Sequence, residues 1–189
     1  MCNEVITPIK KLHSWMYTLL YPAVLGTLLF SFVSSLSVAD QKPDAYSIGF
    51  AAFLILYFSS QHIENTLDYA GYRWQMFIAD SLELVAMFAF YILLGIVNTK
   101  YKIGGDLKYS WDHFFIVLGL VFLLPVAARA FVHKNPFHKW RDGWLSILSI
   151  AAALIAFSGL CFGVNTVLIV LLFLVLLIYF ALFVSGVVK

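Results

Sequence analysis

The chain has 189 residues, of which 62% are hydrophobic and 12% charged, with a mean hydropathy of +0.92 and a formal net charge of +2. Soluble domains run near half apolar and about a quarter charged, so this balance excludes a water-soluble globule and points to a polytopic membrane protein. The small net charge, with no basic face long enough to track phosphates, excludes a nucleic-acid partner.

Spans of about 20 apolar residues are predicted at Ser14–Leu36, Tyr46–Leu67, Trp74–Val97, Asp112–Val132, Gly143–Phe162 and Val164–Val188. Six spans and short loops use up the chain, which reads as one domain over residues 1–189. All six should be α-helices. A chain in hydrocarbon satisfies its own backbone hydrogen bonds, and these runs lack the alternation of a barrel strand.

The first span follows Lys10 and Lys11. It is longer than the hydrophobic region of a signal peptide, about 7–15 residues, so it reads as a transmembrane helix. Pro22 lies inside it and Pro125 inside the fourth; each removes a backbone donor and invites a kink. The second span carries a polar stripe of Tyr57, Gln61, Glu64 and Asp68 at helical spacing, flanked by His62 and Asn65.

The third span holds Asp80 and Glu83, three residues apart and therefore on one helical face, together with Arg73, Tyr91 and Asn98. Counted from Gln75, Glu83 lies about 12 Å along the helix at 1.5 Å per residue, within a core of roughly 30 Å. An ionised carboxylate there costs at least about 2.5 kcal/mol and must turn toward protein or water. The fourth span returns Arg129 and His133 to the same side. Small residues at Ser149, Ala152, Ala153, Ala156 and Gly159 mark the fifth span as a close-packing helix. The sixth is Leu, Ile, Val and Phe almost throughout, and is expected to face lipid or another subunit.

Basic residues set the expected orientation. With the N-terminus in the cytoplasm, Lys10, Lys11, Arg73, Arg129, Lys134, Lys139, Arg141 and Lys189 lie inside, and Lys42, Lys100, Lys102 and Lys108 outside. Both termini are then cytoplasmic, and the expected location is a bacterial inner membrane. Cys2 and Cys161 fall near opposite surfaces and are not expected to pair. No lipidation box, glycosylation sequon, HExxH or Gly-x-Ser-x-Gly is present, so no metal, cofactor or catalytic nucleophile is expected.

The candidate binding or translocation set is Asp80, Glu83, Arg129, His62, Glu64, Gln61, Tyr91 and His133. Three readings compete for it. One is a structural ion pair in which Arg129 neutralises Asp80 or Glu83. Another is a pathway for a proton, ion or small solute, with a titrating carboxylate and His62 as relay. The third is a metal or catalytic site, weakened because a helical His-x-Glu does not put both side chains on one face. The functional expectation is a small transport or channel-type protein. The alternatives are a sensing or anchoring subunit, for example in bacterial stress or phage defence, and a membrane enzyme acting on lipid or quinone. Partners expected are the bilayer, further copies meeting through the fifth and sixth spans, and a cytosolic protein docking on the basic loop His133–Asp142.

Overall fold

The computed structural model describes residues 8–37, 44–67, 72–99, 111–133 and 140–185. They form α1 (Pro8–Trp15), a π-helical segment (Met16–Leu20), α2 (Tyr21–Ser37), α3 (Ala45–Leu67), α4 (Trp74–Thr99), α5 (Trp111–His133), α6 (Trp140–Phe162) and α7 (Thr166–Val184). The first three run on without a break as one rod. No strand occurs among the described residues. Among the described residues, four stretches are long and apolar enough to cross a membrane: Lys11–Ser34, Trp111–Phe131, Gly143–Phe162 and Thr166–Val184. The other two long helices, α3 and α4, carry Gln61 and His62, and Asp80 and Glu83, respectively.

Helix ends are made by local chemistry. Asp44 caps α3, accepting from the Ser47 backbone N–H at 2.9 Å and from the Ser47 hydroxyl at 3.1 Å. An N-cap carboxylate satisfies an amide that the helix itself cannot pair. Asn165 does the same for α7, accepting from Leu168 N–H at 3.0 Å. Between α6 and α7 the chain reverses at Gly163, whose φ of 67° closes α6 in the left-handed region. Only glycine enters that region without a steric penalty.

The π segment has a visible cause. Pro22 lacks an N–H, and its ring clashes with the carbonyl four residues back. The turn widens instead, and the Tyr21 N–H bonds to the Met16 carbonyl, five residues back.

In section the rods form a ring. The first rod packs on α3, α3 on α7, α7 on α6, α6 on α5, α5 on α4, and α4 closes onto the first rod. Within the ring, α3 also reaches α4 and α5 through aromatic contacts: Phe58 with Phe90, Phe50 with Phe114, and Phe53 with Phe122. These rings divide the interior into two compartments. One lies among the first rod, α3 and α4, and the other among α3, α5, α6 and α7.

The α5–α6 contact is the tightest because each helix offers a glycine to the other's phenylalanine. A Cβ on Gly119 would sit 2.5 Å from the Phe157 ring, and one on Gly159 would sit 2.7 Å from the Phe115 ring. Ala152, Ala153 and Ala156 are buried on α6. Lipid tails are as apolar as leucine, so close backbone approach drives such pairing. One stripe of α7, Leu168, Leu172, Leu176 and Tyr179, is buried, which departs from a sixth span that only faces outward. A uniformly apolar sequence does not reveal which of its sides meets protein.

Candidate functional site

Asp80 and Glu83 lie on the inward face of α4, 8% and 4% exposed. The groups around them come mostly from the first rod, and sequence reasoning did not select them. His13, Tyr17 and Tyr21 form a column along that rod. Ring centroids are 4.8 Å apart for His13 and Tyr17, and 5.6 Å for Tyr17 and Tyr21. The π segment produces this column. Four residues overshoot a full turn of α-helix and undershoot a π turn, which closes one residue later. One step of each leaves the three side chains nearly in line.

Two further elements complete the enclosure. Tyr72, just ahead of α4, donates its hydroxyl to Asp80 Oδ2 at 2.5 Å, and its ring meets His13 edge-on at 4.6 Å. Burial and the facing Asp80 carboxyl push the Tyr72 phenol above its ordinary range, so it stays protonated and remains the donor. Tyr17 lies within hydrogen-bonding range of the same carboxyl, and His13 is close enough to act on it electrostatically. From α3, His62 stacks on Tyr21 at 5.3 Å and 16°. The Tyr21 hydroxyl is buried against Glu83 without reaching good hydrogen-bond geometry. The result is a box of phenols and imidazoles around two carboxyls. Tyr72, Tyr17 and His13 all face Asp80.

Arg129 and Gln61 come together in the other compartment. They line a hollow among α3, α5, α6 and α7 whose walls include neither acid. Gln61 and His62, neighbours on α3, therefore serve different compartments. Tyr57 stands between them, lining the hollow while lying close to Tyr21. The side chains of Glu64, Tyr91 and His133, with Asp68 and the loop 134–139, lie outside the described residues. Among the described residues, no three His, Cys, Asp or Glu side chains converge as a metal site.

The available signal for the missed residues was the His13, Tyr17, Tyr21 spacing. Tyrosines near span ends read by default as interfacial anchors, and that default concealed Tyr72.

No family model, curated protein or solved structure matches this chain. The functional reading therefore rests on the geometry of the two compartments.

Proposed function

We propose that the chain is a small polytopic membrane protein of transport or channel type, moving a proton, a cation or a small solute past Asp80 and Glu83. In this reading α3 and α4 are also spans, giving six, with both termini in the cytoplasm of a bacterial cell. The observation that carries the proposal is the surroundings of Asp80. The buried carboxyl accepts a hydrogen bond from Tyr72, with Tyr17 within hydrogen-bonding range and His13 close enough to act on it electrostatically. A phenol hydroxyl can donate to the carboxylate or accept from the carboxylic acid, so the carboxyl keeps a partner as a proton comes and goes. His62, stacked on Tyr21, adds an imidazole that can both donate and accept a hydrogen bond.

Proteoliposomes loaded with a pH-sensitive or cation-sensitive dye test the proposal. The unmodified chain is expected to dissipate an imposed proton or cation gradient. Glu83→Gln and Asp80→Asn should each slow that flux at least tenfold while eluting as the parent does in gel filtration. Absence of flux above empty liposomes, or flux that survives both substitutions, refutes it.

A further inference from the structure

Tyr72, Asp80 and Tyr17 stand in series. Tyr72 is partly buried just ahead of α4, Asp80 is 8% exposed and Tyr17 2%. The Tyr72 hydroxyl donates to Asp80 Oδ2, and the Tyr17 phenol lies within hydrogen-bonding range of the same carboxyl. Tyr17 is also close enough to Glu83 to feel its charge, and the Tyr21 hydroxyl is buried against that second carboxyl. A phenol, a carboxyl and a second phenol thus lead from the edge of the box toward its more deeply buried acid.

The box is closely packed. Ring centroids are 4.6 Å apart for His13 and Tyr72, 4.8 Å for His13 and Tyr17, and 5.6 Å for Tyr17 and Tyr21. These are contact distances for aromatic rings. A small solute, or a cation that keeps part of its hydration shell, needs a gap that such contacts close. A proton needs none, because it moves by changing the oxygen to which it is bonded.

We infer that the cargo at this site is the proton, passed along Tyr72, Asp80 and Tyr17 toward Glu83. The inference rests on the transport reading above and narrows its three cargoes to one. A proton arriving on the Tyr72 oxygen frees that hydroxyl's own proton for Asp80. The carboxyl, now an acid, donates to the Tyr17 oxygen. The Tyr17 hydroxyl turns, as hydroxyl protons can, and releases its own proton toward Glu83. Both phenols and Asp80 end with the protons they began with, and one proton has moved inward. Moving in concert, these transfers leave each phenol neutral.

Proteoliposomes holding the full chain test the cargo in separate assays with gradients of protons, sodium, potassium or mannitol. The readouts are a pH-sensitive dye, cation-selective dyes and light scattering. In the proton assay, valinomycin with equal potassium on both sides carries the compensating charge. Proton flux at least tenfold above empty liposomes is expected, with sodium, potassium and mannitol entering no faster than into empty ones. Tyr72→Phe and Tyr17→Phe keep each ring and delete its hydroxyl, and each should slow the proton flux at least tenfold. Sodium, potassium or mannitol entering faster than into empty liposomes overturns the inference and leaves the transport reading standing. Absence of every flux overturns both. Proton flux undiminished by the two tyrosine substitutions together also overturns the inference. The comparison of cargoes uses the unmodified chain, so it decides the question even where a variant does not fold.

Discussion

At Asp80, removing the side chain and neutralising it are different perturbations. Asn keeps an acceptor for Tyr72 and Tyr17, whereas Ala leaves two phenols facing a void. A buried donor without a partner costs about 1–3 kcal/mol. Asp80→Ala should therefore be less stable than Asp80→Asn by about that amount, measured by denaturant unfolding in detergent micelles. Equal losses would mean that the phenols do not rely on the carboxyl. Gly119 is constrained in the opposite sense. Its missing Cβ is the seat of the Phe157 ring, 2.5 Å away, so Gly119→Ala overpacks the α5–α6 contact. The expected cost is about 1–3 kcal/mol, and Phe157→Leu in the same chain should recover much of it. Strict additivity of the two substitutions would rule out the direct contact.

Among the elements, the first rod shows most clearly how a local defect becomes a site. Proline in a helix interior is disfavoured by about 3 kcal/mol relative to alanine, yet here it accompanies the π turn that aligns His13, Tyr17 and Tyr21. Pro22→Ala restores the missing donor and should let the turn close as ordinary α-helix. Backbone hydrogen exchange across Met16–Val24 is then expected to slow, while the rotated column loses its fit to Asp80 and Glu83. Exchange unchanged in that segment would detach the π turn from the proline.

For the whole molecule, the ring of rods makes a topological prediction. Cys161 is exposed at the end of α6, just before the turn into α7. If six helices cross and both termini share a side, that turn lies on the side opposite the termini. In a Cys2→Ser chain Cys161 is the sole thiol. A membrane-impermeant maleimide should then label it only from the face opposite an N-terminal tag. Labelling from the tagged face requires an odd number of crossings before the turn to be replaced by an even one, and the arrangement of α3 and α4 to be redrawn. The same ring gives α3 its central role: it packs on the first rod, α4 and α7 and reaches α5 through aromatic contacts.

The sequence alone determined that the chain is helical and carries runs long and apolar enough to cross a membrane, because in hydrocarbon such runs satisfy the backbone only as helices. It also determined that Asp80 and Glu83 share a face, since three residues make nearly one helical turn. Only the tertiary structure decided what that face meets. Arg129 lines a hollow with Gln61. His13, Tyr17, Tyr21 and Tyr72 gather around the acids. The reason is the solvent. In water, the polar and apolar sides of a helix announce which way it turns. In lipid both sides are apolar, so rotation and choice of neighbour are set by shape: a glycine opposite a phenylalanine, or a π turn before a proline.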